Sequence, residues 1–156
     1  MLIRLATIGD AAALTQLRMA LFVEGGELGS ADDDPELARQ TADAFAHSLT
    51  QQEMLHWVCE QQGRVVAAAS LALLTRLPYP GNGAGREGYL HNVYVQPVYR
   101  RRGIARSLVQ TILHHASMLE LGRVWMHASP MGAQLYRELG FAPNGHYLDW
   151  SAQVPS

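Results

Sequence analysis

The sequence has no lysine: all 12 of its Lys-plus-Arg residues are arginine. That removes a lysine nucleophile and Schiff-base chemistry from consideration. Cysteine occurs once, at Cys59, so an intrachain disulfide is excluded. The thiol lies in an apolar, strand-like run, reads as a buried structural group, and fits a reducing cytosol. No apolar run is long enough to cross a bilayer and no basic-then-apolar leader opens the chain, so a cytoplasmic location without a membrane partner is expected. Positive charge is scarce too. A net charge of −2 leaves no electrostatic footprint for nucleic acid, and one arginine triplet does not create it. His114 and His115 are adjacent and diverge on a helix, so no metal site is expected. Repeats, low-complexity tracts and linkers are missing as well. The 156 residues suit one domain over 1–156.

What is present is a regular succession of elements. Residues 2–7 read as a strand, after which Asp10 can cap a helix carrying Leu14, Leu17, Leu21 and Phe22 on one face. Paired Gly25 and Gly26 end it. Asp34 and Pro35 open a second helix to about residue 49. Residues 53–60 and 64–74 form a hairpin around Gln61-Gln62-Gly63. The proline- and glycine-rich stretch 78–88 reads as a flexible rim. Within it, Gly81-Asn82-Gly83-Ala84-Gly85 has a superficial likeness to a nucleotide loop. Residues 89–95 form a central strand, 123–127 another, and Ser129-Pro130 caps a short helix ending at Gly140. Residues 141–150 are expected to supply two closing strands around Asn144-Gly145. This order makes a mixed-sheet α/β domain.

The chain is organised around the stretch from Val93 to Ala105. Val93-Tyr94-Val95 reads as strand, Pro97 stops the ladder, and Arg100-Arg101-Arg102-Gly103 turns into a helix. That helix places Ile104, Leu108, Ile112, Ala116 and Leu119 on one face. A strand, a tight turn and a helix N-terminus together present unpaired amides and the positive end of a helix dipole, a site for phosphate. Gly103 and Ala105 leave room for a pyrophosphate to approach. The spacing is neither a P-loop nor a dinucleotide fingerprint.

Arg100-x-x-Gly103-x-Ala105 resembles the Arg/Gln-x-x-Gly-x-Gly/Ala signature of the GCN5-related N-acetyltransferase (GNAT) family. The stretch Ala128-Ser129-Pro130-Met131-Gly132-Ala133-Gln134-Leu135-Tyr136-Arg137-Glu138-Leu139-Gly140-Phe141 is similar to that family's closing motif. The resemblance implies a mostly antiparallel, splayed central sheet flanked by helices, with acetyl-CoA lodged where the sheet opens. Val93 and Val95, with Tyr94 between them, would meet the pantetheine, and the amides of Arg101, Arg102, Gly103, Ile104, Ala105 and Arg106 the pyrophosphate, with Arg100 also among the cofactor-binding residues. Ala133 and Tyr136 would border the cofactor. The family often carries asparagine where this chain has Ser129, which either bonds the cofactor or caps the helix. Dimers are common in the family; nothing in this sequence fixes one.

Moving an acetyl group from a thioester to an amine requires a base, a donor for the carbonyl oxygen and an acid for the departing sulfur. The resemblance points to Tyr136 as the acid; a packed helix tyrosine is the other reading of that residue. The amide of Val93 or Tyr94 is the oxyanion donor if the strand carries the family's bulge. Alternation puts Glu87, Tyr89, His91 and Val93 on one strand face, where His91 or Glu87 serves as base through a water. Glu24 sits beside the first helix, which the resemblance places at the border of the acceptor site, and would meet a cationic amine there. The resulting expectation is an acetyl-CoA-dependent N-acetyltransferase acting on a primary amine. The alternative from another class is an idle acyl-CoA-binding regulatory module.

Overall fold

The computed structural model describes residues 1–152. A five-stranded sheet runs in the order of the chain: β1 (Leu2–Leu5), β2 (Met54–Gln61), β3 (Arg64–Thr75), β4 (Arg86–Val95) and β5 (Arg123–Trp125). The first three pairings are antiparallel; β4 and β5 are parallel. Between β1 and β2 lie two helices, α1 (Ala11–Glu24) and α2 (Pro35–Gln51). A third, α3 (Ile104–Met118), crosses from β4 to β5, and a short α4 (Ala133–Glu138) follows.

Each sheet face packs one layer of helices. On one side Trp57, Cys59, Ala67, Ala69, Leu71 and Leu90 meet Ile104, Leu108 and Ile112 of α3. On the other, Val58, Ala68 and Tyr94 meet Leu14 and Leu17 of α1 and Phe45 of α2. The apolar period read in α3 is the face it buries, and Leu14 and Leu17 are the sealed positions of α1. Asp34 caps α2 through the Leu37 amide at 2.9 Å, with Pro35 at the first helical position. Cys59 is fully buried, and desolvation raises its pKa.

Four local expectations are corrected. First, β4 begins at Arg86 rather than residue 89, because Glu87 is buried among polar partners and adds to the ladder. Second, stretch 78–88 is anchored rather than free. Asn82 is buried and donates to the Arg86 carbonyl and the Tyr79 hydroxyl, each at 3.0 Å. Gly85 sits at φ +68° where a Cβ would lie 1.9 Å from the Arg76 carbonyl oxygen, so only glycine fits. Third, α4 starts at Ala133 with Gly132 as its N-cap and no side-chain cap, so Ser129 does not cap it. Fourth, β5 stops at Trp125, and residues 141–152 form no strand. Asn144-Gly145 has no ladder there to turn between, and Leu148 and Trp150 stand exposed.

Candidate active site

The site begins where β4 and β5 part. They pair only from Glu87 to Tyr89 against Arg123 to Trp125. Beyond that, the outer edge of β4 is open. A bulge sits at this point: Ser70 faces His91 and Ala68 faces Tyr94, leaving both Asn92 and Val93 across from Ala69. Asn92 takes φ +58°, a left-handed conformation that asparagine tolerates better than most side chains. The extra residue shifts the alternation. Val93 therefore packs with the α3-side cluster, while His91 and Asn92 face α1 and α2. This corrects the expectation that Val93 shares a face with Glu87, Tyr89 and His91. The Gln96 amide donates to the Val66 carbonyl at 3.0 Å, so the alternate amides of Val95 and Val93 turn toward the open edge.

The turn after β4 has the shape a phosphate needs. Arg101 and Gly103 both lie at positive φ, 60° and 78°. The Ser107 amide donates to the Gly103 carbonyl, and the amides of Gly103, Ile104, Ala105 and Arg106 precede that first helical bond. A Cβ on Gly103 would meet nothing within 4 Å, so the space over that residue is open. Arg101 and Arg102 are exposed beside it.

Arg100 is differently employed. Its Nε donates to the Val95 carbonyl at 2.8 Å, and its two Nη atoms grip the Glu24 carboxylate at 2.7 and 2.6 Å. The guanidinium also lies over the Tyr94 ring at 5.4 Å. The pair holds the Glu24 carboxyl below its ordinary value through that hydrogen bond. Glu24 thus ties the end of α1 to the turn instead of waiting for a cationic amine. Arg106 pairs with Glu138, joining α3 to α4.

The acid and base candidates are separated by the sheet. Tyr136 is buried in the cluster that contains Val95 and Ile104, with Val93 at its margin. Among the described residues its hydroxyl has no hydrogen-bond partner, and burial pushes its pKa up. His91 lines a cavity on the opposite face. Its Nδ1 lies 3.3 Å from the Tyr89 carbonyl, an obligate acceptor, so Nδ1 carries the proton and Nε2 keeps its lone pair. Burial lowers the His91 pKa, keeping the ring neutral. Tyr89 stacks on His91 at 5.1 Å and its hydroxyl meets His127 Nδ1 at 2.8 Å.

Glu87 is placed elsewhere. It is 0% exposed, and Oε2 accepts from the Tyr79 hydroxyl and from Arg76 at 3.3 Å, with Arg123 3.8 Å away. It lines neither the His91 cavity nor the groove of about 960 Å³ beside β5 and α4 that Tyr136 borders. Its carboxylate anchors the 76–86 loop to β4.

Sequence reasoning missed a buried polar chain behind the bulge. Arg18 donates to Asn92 Oδ1 at 3.4 Å, and Asn92 Nδ2 donates to Ser70 Oγ at 3.3 Å. Ser70 Oγ lies 2.7 Å from His56 Nδ1, His56 Nε2 lies 2.7 Å from Ser48 Oγ, and Ser48 donates to the Phe45 carbonyl. One direction satisfies every link: Ser70 donates to Nδ1, and Nε2–H donates to Ser48. The chain pins Asn92, and so the bulge, to both helices. An asparagine inside a β-branched run was the signal available, since asparagine is depleted in strands and tolerated at left-handed positions.

Desolvation, with the nearby His91 charge adding to it, lowers the His56 pKa from 6.5 to about 4. The fold therefore refuses a proton that the unfolded chain accepts. Stability is complete above about pH 6.5 and drains as pH falls toward 4, by about 3 kcal/mol at most. Urea midpoints measured from pH 7.5 to 4.5 should fall, and a His56→Gln variant should show a shallower decline. Equal slopes for the two proteins would contradict this assignment.

The five-stranded sheet that parts between β4 and β5 and is flanked by helices is a mixed α/β fold of the acetyltransferase type, and comparison with known proteins defines it further. The sequence matches the Acetyltransferase (GNAT) family over residues 13–141. The chain belongs to that family. It is 33% identical over 113 residues to an aminoglycoside N(6')-acetyltransferase type 1 of Stenotrophomonas maltophilia, covering 70% of this chain and 63% of that one. It is also 33% identical over 87 residues to a mycothiol acetyltransferase of Saccharomonospora viridis, covering 55% and 27%. The chain thus spans less than two thirds of either relative. Its fold is similar to a predicted acetyltransferase of Clostridium acetobutylicum solved with acetyl-CoA, with TM-score 0.86, 23% identity, and 96% and 95% of the two chains covered.

Proposed function

We propose that this protein transfers the acetyl group of acetyl-CoA to the nitrogen of a primary amine by direct attack in a ternary complex. The observation that carries the reading is the Asn92–Val93 bulge, which turns the Val93 amide to the open strand edge and leaves His91 on the wall of a cavity. The acetyl-CoA bound in the Clostridium acetobutylicum protein of like fold supports it. The residues present suit that cosubstrate. Outward amides from Gly103 to Arg106 and the open space over Gly103 match a pyrophosphate, and the parted strand edge matches an amide-bearing pantetheine arm. The Val95 carbonyl is already taken by Arg100, so its amide is the group left for that arm. Ser129 is exposed and does not cap α4, and among the described residues its hydroxyl is open to the same cosubstrate.

The amine nitrogen forms a bond to the carbonyl carbon while the carbon–sulfur bond breaks. His91 Nε2 accepts the amine proton, directly or through a water, and the Val93 amide donates to the carbonyl oxygen as it gains charge. Tyr136 gives its proton to the leaving sulfur. Burial keeps the phenol protonated at neutral pH, the state an acid requires. Glu87, sealed by Tyr79 and Arg76, is the poorer base.

The test is turnover with a panel of amines beside acetyl-CoA binding by calorimetry. Tyr136→Phe should lower kcat roughly 100- to 10,000-fold while leaving acetyl-CoA affinity unchanged. A wild type that binds acetyl-CoA yet acetylates no amine would favour the idle regulatory module.

A further inference from the structure

The cavity between α1, α2 and the sheet holds about 280 Å³. His91 and Asn92 form its floor at the bulge, and Leu37, Ala44, Phe45 and Met54 give it apolar walls. One cation enters it, Arg18, and no carboxylate is among its lining residues. Arg18 is half-buried, and desolvation depresses its pKa. Its partners are poor for a group so placed: one 3.4 Å bond to the neutral Asn92 amide and the face of Phe22 at 4.7 Å. Among the described residues it has no ion pair, although the exposed Glu27 is near enough to be felt. A guanidinium carries five donors, and a partly desolvated one leaves most of them available for an anion.

The cavity that this cation shares with the bulge sets what the anion belongs to. Nη1 of Arg18 touches Asn92, and Asn92 is the first residue of the bulge that presents the Val93 amide. Arg18 and His91 line the same cavity, and the Arg18 charge is felt at the His91 ring, so an anion on Arg18 and an amine against His91 can belong to one small molecule. We propose that the acceptor is a small apolar α-amino acid, its carboxylate on Arg18, its side chain against Leu37, Phe45 and Met54, and its amine at His91. This rests on the acetyl-transfer reading above and deepens it. It excludes polycationic amines, which would find a half-buried cation and no carboxylate lining this cavity. It also excludes peptide N-termini, which have no carboxylate beside the reacting nitrogen.

Turnover of the full chain should be compared for L-leucine, L-methionine and L-phenylalanine against their carboxamides, reading thiol release, with acetyl-CoA affinity followed by calorimetry. The acids should exceed the amides in kcat/KM by roughly 10- to 100-fold, the range of a charged hydrogen-bonded contact. Arg18→Met should lower the acids by that factor and erase the discrimination, and Arg18→Lys should restore part of it. Preserved acetyl-CoA affinity in both variants shows that each has folded. Amides equal to acids, discrimination that survives in Arg18→Met, or turnover of O-phosphoethanolamine but none of the amino acids would overturn the assignment. Those results leave acetyl transfer standing. Failure of the wild type to bind acetyl-CoA would instead strike the underlying reading.

Discussion

Replacing Gly103 with glutamate should weaken acetyl-CoA binding by at least about 100-fold while the protein stays folded. The expectation rests on two separate properties of the position. Gly103 lies at φ +78°, so any side chain there incurs roughly 1–2 kcal/mol of backbone strain. Yet a Cβ meets nothing within 4 Å, so no clash follows. Arg101, two residues earlier, already holds φ 60° with a full side chain, so the loop tolerates such strain. What glutamate adds is a carboxylate in front of the amides of Gly103 to Arg106, where a pyrophosphate would lie. Repulsion between like charges then opposes binding, and the amides have an internal anion to bond instead. Gly103→Ala separates the two effects, since it carries the strain without the charge and should bind far better than the glutamate variant. Calorimetric titration of all three proteins with acetyl-CoA decides the matter. Equal affinity for wild type and Gly103→Glu would mean the pyrophosphate does not sit on this turn.

The elements with a strong period were legible in the sequence. Helix α3 announced its buried face through Ile104, Leu108, Ile112 and Ala116, and α2 announced its start through Asp34 and Pro35. The turn at Arg100 to Ala105 was legible because glycine at a strand–helix junction has few other uses. What could not be read depends on partners distant in sequence. Glu24 and Arg100 are 76 residues apart, and no local rule joins them. Glu87 reads as one charge in an alternating strand until Tyr79, Arg76 and Arg123 close around it. The bulge mattered most. One additional residue at Asn92 moved Val93 to the other face, so a period-two reading was right for Tyr89 and His91 and wrong two residues later. The residues after Phe141 show the converse, since the Asn-Gly turn signal there is not matched by any ladder.

Removing the His91 imidazole should lower kcat/KM by roughly 100- to 10,000-fold, the usual contribution of a positioned base, with acetyl-CoA affinity intact. The pH dependence identifies the role. Burial lowers the His91 pKa, so the ring stays neutral to more acidic pH than a free histidine. The acid limb of kcat/KM for the wild type should therefore lie below about pH 6.5, and His91→Ala should lose that limb. Burial lowers the His56 pKa to about 4, and its protonation breaks the polar chain rather than stopping proton transfer. A folding probe run beside the assay separates rate from stability: protonating either buried histidine costs stability, so only the part of the acid limb over which the folding signal holds reports on proton transfer at His91. Glu87→Gln is the informative companion. It removes the charge that holds Arg76 and Arg123 near the head of β4, so it should loosen the 76–86 loop and lower stability without altering the shape of the pH profile. If His91→Ala keeps the wild-type profile and Glu87→Gln loses its acid limb, the base is the carboxylate. The short Tyr79 contact would then have to open before each turnover.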